Sequence, residues 1–226
     1  MTIAFRILPS APPPAADLVA ALSEQASSHL TDSQSRARAI QGAIRALHRG
    51  GRLCGPALTV RTTPGDNLLV HKAVDLARPG DVIVVDAGGA LDCAIIGDLV
   101  TSYARARRVA GFVIDGAVRD MEEIAARDFP VYARGVTPRG PSKEGPGEIN
   151  VPVSIGGTVV HPGDIVVGDA DGVVIVPIAD AEVALAAARA LRAKEATTLE
   201  KIAAGTLDRQ WIDEALQARG CEFVAR

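Results

Sequence analysis

The sequence predicts an α/β protein with a central mixed sheet, and three observations point there. Of its 226 residues 48% are apolar and only 3% aromatic, so the core has to be assembled from Val, Ile, Leu and Ala, which suits buried strands covered by helices. The continuous apolar run 82–85 and the segment Gly111-Phe112-Val113-Ile114-Asp115-Gly116 read as buried strands, and the helical pattern between them makes the whole stretch a βαβ crossover. Helical spacing recurs near both ends, so the length fits one domain with N-terminal helices over 15–50, a sheet core over 52–178 and C-terminal helices over 179–226.

In chain order, Pro12, Pro13 and Pro14 make an extended lead-in, because three fixed φ angles and missing N–H groups exclude helix. Helical spacing predicts a helix over 15–30 and a weaker one over 40–47, ended by Gly50-Gly51. A strand is expected over 53–61, followed by the turn Thr63-Pro64-Gly65-Asp66, whose Asp can cap a helix over 67–77. The strand at 82–85 ends in Asp86-Ala87-Gly88-Gly89, and the pattern from 91 to 108 is helical. After the strand at 111–116 come a helix over 117–127, a short strand near Val131-Tyr132 and a surface loop over 138–147. Short Val and Ile runs between Gly-rich turns predict three antiparallel or mixed strands over 149–176, and an Ala-rich helix over 179–204 precedes a short one around Trp211.

Several function classes fall away. With 24 Lys plus Arg against 27 Asp plus Glu, the formal charge of -3 gives no field to hold a polyanion, so nucleic acid is not an expected partner. Cys54, Cys93 and Cys221 show no CxxC spacing and read as small buried hydrophobes rather than disulfide or zinc ligands. No cleavable leader pattern and no run of 18 apolar residues is present, which predicts a cytoplasmic protein. There is no P-loop, no GxGxxG after a strand, no GxSxG and no HExxH, and His29, His48, His71 and His161 lack ligand spacing. A metal here should therefore be bound by oxygen.

The carboxylates near predicted strand ends are Asp86, Asp98, Asp115, Asp120, Asp169 and Asp171. Gly-Asp occurs five times, four of them in plain turns; Gly97-Asp98 instead lies between the apolar stretches 94–96 and 99–100. Glycine there permits close approach of a ligand, and amides freed at a helix start can bind an anion. Arg119-Asp120 follows the strand at 111–116, at the carboxyl edge where open α/β sheets bind ligands. Arginine offers a planar fork for a carboxylate and aspartate a hard ligand for Mg²⁺ or Mn²⁺.

Gly97-Asp98, twenty residues, then Arg119-Asp120 resembles the GD-x20-RD signature of the class II pyruvate aldolases that cleave 4-hydroxy-4-methyl-2-oxoglutarate and 4-carboxy-4-hydroxy-2-oxoadipate, within the family of regulator-of-ribonuclease-activity-A-like (RraA-like) proteins. The similarity extends through GFVIDGAVRD, through PGDNLLVHKAVDLARPGDVIVVD before it and through GEINVPVSIGGTVVHPGDIVVGDADGVVIVP after it, covering about 52–205. It departs at GGALDCAII and in the 138–147 loop, which leaves the group beyond the pyruvyl moiety open.

The resemblance implies a layered α/β/α fold of the swivelling-domain type, assembled as a homotrimer or homohexamer with sites between subunits. It also implies a divalent-metal-dependent lyase that splits 4-hydroxy-2-oxo diacids into pyruvate and a second 2-oxo acid and decarboxylates oxaloacetate. By the same resemblance Asp120 is the metal ligand, Arg119 grips the pyruvyl carboxylate or developing enolate, and Asp98 hydrogen-bonds metal-bound water. The amides after Gly97, at Asp98, Leu99 and Val100, cradle the carboxylate, and Glu195 from a neighbouring subunit orients metal-bound water. The rival implication is a noncatalytic regulator docking on an RNA-processing enzyme, but such relatives generally lack the Arg-Asp pair that this chain keeps. A third, methyl transfer to a demethylated quinone, finds no glycine-rich nucleoside loop in the sequence.

Overall fold

The computed structural model describes residues 4–222 and 224, and its order of elements is set largely by where the aliphatic strands alternate. In chain order these are β1 (Phe5–Ile7), α1 (Ala16–Ser23), α2 (Ser27–Ser33), β2 (Arg45–Ala46), β3 (Leu53–Thr62), α3 (Leu68–Leu76), β4 (Val82–Asp86), β5 (Ala94–Ile96), α4 (Asp98–Ala106), β6 (Gly111–Val118), α5 (Met121–Ala125) and β7 (Val131–Val136). They continue with β8 (Gly147–Ile149), β9 (Val153–Ile155), β10 (Thr158–Val160), β11 (Ile165–Asp169), β12 (Gly172–Val176), α6 (Ala181–Ala203) and α7 (Gln210–Ala218). The contacts divide the chain into two compact units, Met1–Ala188 and Arg189–Arg226.

In the first unit the main sheet runs β1-β8-β3-β4-β6-β7-β2, with β3, β4, β6 and β7 parallel. The helices α3, α4 and α5 occupy the crossovers, so the carboxyl ends of β4 and β6 and the loops after them share one edge. Alternation along the strands builds two cores at once. Ile83, Val85, Phe112 and Ile114 pack with Leu69, Val74, Ala104 and Ile124 of those helices, while Val82, Val84 and Val113 face Val153, Ile155, Val166 and Ile175. Strands β11 and β12 alternate again: Ile165, Val167, Val174 and Val176 turn to a third core with Leu22, Leu30, Ala184 and Ala188. The expected layered α/β architecture with a central mixed sheet is present, and β9–β12 add a β layer between that sheet and the helices α1, α2 and the start of α6.

The second unit holds the rest of α6, closed at Gly205 by hydrogen bonds from the Gly205 and Thr206 N–H groups to the Ile202 and Lys201 carbonyls, and α7. Among the described residues no helix is long and apolar enough to cross a membrane.

Several predicted elements need correction. The helix expected over 15–30 is two, α1 and α2, and the helix expected over 40–47 is a turn leading into β2. Ile40 and Ile44 have helical spacing because both plug the same core, not because the chain is helical between them. The helical pattern from 91 conceals β5 and starts as helix only at Asp98; α5 is five residues long; and 149–176 holds the last residue of β8 and four further strands rather than three. Short buried strands and buried helix turns share one apolar signature, which is why these boundaries slipped.

The cysteines differ among themselves. Cys54 is half-buried, its Sγ–H donating to the Val19 carbonyl at 3.5 Å, and burial pushes its thiol up to about 12, with the Arg52 charge working the other way. Cys221 is exposed, contrary to expectation. A thiol reagent at pH 8 is expected to modify Cys221 in the native protein and Cys54 at least about 100-fold more slowly, because only the thiolate reacts. Peptide mapping after timed alkylation checks this, and equal labelling of the two would contradict it.

Candidate active site at the carboxyl edge of the sheet

The site grows from the pairing of β5 with the end of β6. Ala94 and Ile96 lie parallel to Ala117 and Val118, and the Arg119 N–H donates to the Ile96 carbonyl at 3.0 Å. These bonds bring Gly97-Asp98 alongside Arg119-Asp120, twenty residues apart in sequence.

Asp120 occupies the N-cap of α5 in the left-handed region, φ 57 and ψ 48. Aspartate is among the few non-glycine residues that tolerate this backbone, usually because its carboxylate bonds locally. Here it does not cap its own helix. Its Oδ2 instead accepts the Asp98 N–H at 2.8 Å, and the Arg119 Nε lies 3.6 Å from the same oxygen. Oδ1 has no protein donor among the described residues, and the two side chains are 36% and 42% exposed, so a ligand can reach both.

Gly97 permits the arrangement: a Cβ there would sit 2.2 Å from Asp120 Oδ2 and 2.9 Å from Arg119 Cγ. The need for glycine therefore comes from Asp120 itself. The Asp98 amide, expected to cradle a ligand carboxylate, is used on Asp120; the Leu99 and Val100 N–H groups, also in the first turn of α4, donate to no protein acceptor among the described residues and stay open for an anion. The Asp98 carboxylate pairs through Oδ1 with Arg127 and accepts the Ser102 hydroxyl at 3.3 Å. Glu195 lies exposed on the part of α6 that belongs to the second unit.

The pair opens into a cleft of about 220 Å³ whose walls include Asn67, His71, Gly97, Leu99, Gly140 and Lys143, and a second hollow of about 300 Å³ lies along Val136, Thr137 and Pro138 against the same Arg119 and Asp120. One wall residue, Asn67, and one loop were not expected there from the sequence. Asn67 would ordinarily cap α3, but Asp66 Oδ1 takes the Leu68 N–H at 2.9 Å, so the Asn67 amide is turned elsewhere: Nδ2 donates to the Ile95 carbonyl at 2.9 Å, and Oδ1, buried, has no partner among the described residues. The loop over 138–147, expected as mere surface, forms one side of the cleft.

That loop is fastened by the buried Asp66. Its Oδ2 accepts the Ser142 hydroxyl at 2.8 Å and the Glu144 N–H at 2.6 Å, while the Ser142 N–H and carbonyl bond Gly65 and Asn67. Burial alone would raise the Asp66 carboxyl, but bonds from Glu144, Leu68, Ser142 and Gly145 outweigh it and hold it below the ordinary value. The other candidate carboxylates serve structure: Asp115 pairs with Arg134 and accepts the Gly156 N–H at 2.7 Å, Asp86 accepts the Gly88 and Ser154 N–H groups, and Asp169 caps α2 through the Ser27 N–H and hydroxyl.

Among the described residues no group of three or more His, Cys, Asp or Glu could enclose a metal. One carboxylate with a free oxygen, beside a cleft, does fit Mg²⁺ or Mn²⁺, which commonly take one or two protein carboxylates and fill the remaining positions with water and substrate.

A family profile described as RraA-like (Aldolase/RraA) matches residues 19–175. A protein of Halalkalibacterium halodurans, provisionally named a 4-hydroxy-4-methyl-2-oxoglutarate aldolase, is 49% identical over 134 residues, 59% of this chain and 64% of that protein's length. An Arabidopsis thaliana protein with the same provisional name is 39% identical over 141 residues, covering 59% of this chain and 84% of the relative. Among solved structures, a Streptomyces coelicolor protein described as an unusual member of the RNase ES inhibitor RraA family superposes with a TM-score of 0.75 at 29% identity, over 83% of this chain and 99% of its own.

Two substitutions test the geometry. Gly97→Ala is expected to displace Asp120 and cost about 1–3 kcal/mol, as overpacking does, read as a lowered unfolding midpoint; an unchanged midpoint would contradict the contact. Because the folded Asp66 pKa is depressed, its ionised form stabilises above the unfolded carboxylate's titration range, and that stabilisation is lost as pH falls through the folded value. Asp66→Asn should therefore be less stable than wild type by about 1–3 kcal/mol near neutrality, with the gap closing below about pH 4 in denaturant titrations.

Proposed function

We propose that this chain, which belongs to the RraA-like family (Aldolase/RraA), is a divalent-metal-dependent carbon–carbon lyase that cleaves 4-hydroxy-2-oxo diacids to pyruvate and a second 2-oxo acid, and that it also decarboxylates oxaloacetate. The observation that carries the reading is the Asp120 carboxylate, held on one oxygen by the Asp98 N–H and open on the other, with the Arg119 guanidinium against it. The aldolase name shared by two relatives supports the same class.

Asp120 would hold Mg²⁺ or Mn²⁺, which supplies a Lewis acid that stabilises negative charge on the 2-oxo acid. Everything else is done by the chain. Arg119 binds the pyruvyl end and faces the oxygen on which charge develops; the open Leu99 and Val100 amides receive the carboxylate. In cleavage the C3–C4 bond breaks, its electron pair passes to the pyruvyl unit as enolate, and the C4 hydroxyl loses its proton as the C4 carbonyl forms. Asp98, fixed by Arg127 and Ser102, takes that proton through a water and returns a proton by the same route to C3 of the enolate, which completes pyruvate. Loss of CO₂ from oxaloacetate leaves the same enolate and needs no base at C4. No lysine Schiff base is involved. We propose further that the protein acts as a homotrimer or homohexamer, in which Glu195 of a neighbouring subunit helps to orient water at the site.

Purified protein with Mg²⁺ is expected to release pyruvate from 4-hydroxy-4-methyl-2-oxoglutarate and from oxaloacetate, measured through lactate dehydrogenase. EDTA should abolish both activities, and Asp120→Asn should lower turnover by about 100-fold or more. Unchanged activity in Asp120→Asn or in EDTA would falsify the reading. An absence of turnover with every such substrate favours the second reading, a noncatalytic regulator, which the likeness to the Streptomyces protein supports.

A further inference from the structure

The amino edge of the sheet, opposite the catalytic cleft, carries unpaired arginines. The loops 78–81, 107–110 and 127–130 lead into β4, β6 and β7, which are neighbours in the sheet, so the loops stand in a row about 5 Å apart. Arg49 joins them from the segment before β3, its N–H donating to the Arg127 carbonyl at 3.3 Å. Some of these cations are already used. Arg127 pairs with Asp98, Arg78 with Asp81 at 3.4 Å, and Arg107 donates to the Asp75 carbonyl at 2.8 Å. Arg49, Arg105 and Arg108 are exposed, and among the described residues their side chains make no hydrogen bond or ion pair. On these loops and at the end of α3 the acids are Asp75, Asp81 and Asp128. With Asp75 and Asp81 set against Arg107 and Arg78, Asp128 alone faces the three free arginines, a local surplus of positive charge in a chain whose formal charge is -3.

Arg108 is the residue that the fold least explains. It closes α4 in the left-handed region, φ 60, with its N–H on the Arg105 carbonyl at 2.9 Å and the following Val109 N–H on the Ala104 carbonyl at 3.0 Å. Glycine is usual at such a helix stop, because a side chain there strains the backbone. A cation at the end of α4 gains from the helix dipole, but Arg105 in the last turn already supplies one. The guanidinium of Arg108 is therefore carried at a cost to the turn and holds nothing within the described residues.

We infer that this edge docks an acidic stretch of another polypeptide, whose carboxylates are received by Arg49, Arg105 and Arg108. An extended chain presents same-side side chains about every 7 Å, a step that matches the spread of the loops, and each guanidinium offers a carboxylate two parallel N–H bonds. A hollow of about 470 Å³ between Arg105 and the segment 126–130 gives the docked chain a seat. Nucleic acid fits less well. Phe112 and Phe129 are buried and the exposed Tyr103 is tied by its hydroxyl to Asp75, so bases find no stacking platform, and a long polyanion meets the negative charge of the whole chain. None of the three arginines lines the hollows beside Arg119 and Asp120, so the docking face stands or falls apart from the lyase reading.

The test is fluorescence anisotropy of the full chain at low salt with a labelled octaglutamate, compared with octauridylate. Wild type is expected to bind octaglutamate, more weakly as salt rises, and octauridylate at least about fivefold less tightly. Exposed charge contacts are each worth about two- to fivefold, so Arg49→Ser, Arg105→Ser and Arg108→Gly combined should lower the octaglutamate affinity by about 10-fold or more. Removing the same charge from the second unit, by Arg189→Gln, Arg192→Gln and Arg209→Gln combined, should change it by less than about twofold. Arg108→Gly alone should weaken octaglutamate by about two- to fivefold while raising the unfolding midpoint, a combination that a residue kept for the fold would not show. No octaglutamate binding by wild type, equal losses in the two triple variants, tighter binding of octauridylate than of octaglutamate, or a lowered midpoint in Arg108→Gly overturns the assignment.

Discussion

The site depends on one hydrogen bond, from the Asp98 N–H to the Oδ2 of Asp120. It joins the start of α4 to the end of β6, and it determines three other features. Residue 97 has no room for a side chain, the Asp120 backbone is held left-handed although nothing in α5 needs that conformation, and a single carboxylate oxygen is left facing the cleft. Strain of this kind, about 1–2 kcal/mol for a non-glycine residue in the left-handed region, persists only where surrounding contacts over-determine it. Here the β5–β6 pairing and the Arg119 to Ile96 bond supply those contacts.

Much of this was legible in the sequence because the relevant signals are local. The apolar runs 82–85 and 111–116 are strands buried on both faces, the PGD turn does place Asp66 against the start of α3, and Arg119-Asp120 does sit at the sheet's carboxyl edge. The partnership of Gly97 with Asp120 was visible only as a spacing. Which atom needs the missing side chain depends on a contact across 22 residues. The role expected for the Asp98 amide differs for the same reason, since a first-turn N–H can serve a ligand or a neighbouring carboxylate and the sequence does not distinguish them.

The parts that were not legible share a cause. Asn67 and the loop carrying Lys143 belong to segments whose composition says turn, and their place in the cleft follows from the Asp66 carboxylate, which holds the Leu68 N–H on one oxygen and Ser142 and Glu144 on the other. A buried aspartate in a PGD turn looks like any other capping residue until its second oxygen is traced. Likewise β5 was hidden because three aliphatic residues before a helix continue the helix's apolar pattern. The three cores, by contrast, follow from period-two alternation once the strands are known, since β4 and β6 give one set of side chains to the helices and the other to the β layer.

The left-handed backbone at Asp120 has an evolutionary corollary. Glycine fits that conformation with less strain than aspartate, but it would also leave the Asp98 N–H without its acceptor, so relief of backbone strain is set against the loss of a charge-assisted hydrogen bond. On the lyase reading, aspartate is kept at position 120 for its carboxylate, not for its backbone. A lineage relieved of selection for turnover could drift into a purely structural or regulatory career through one codon, with no collapse of the fold to mark the change.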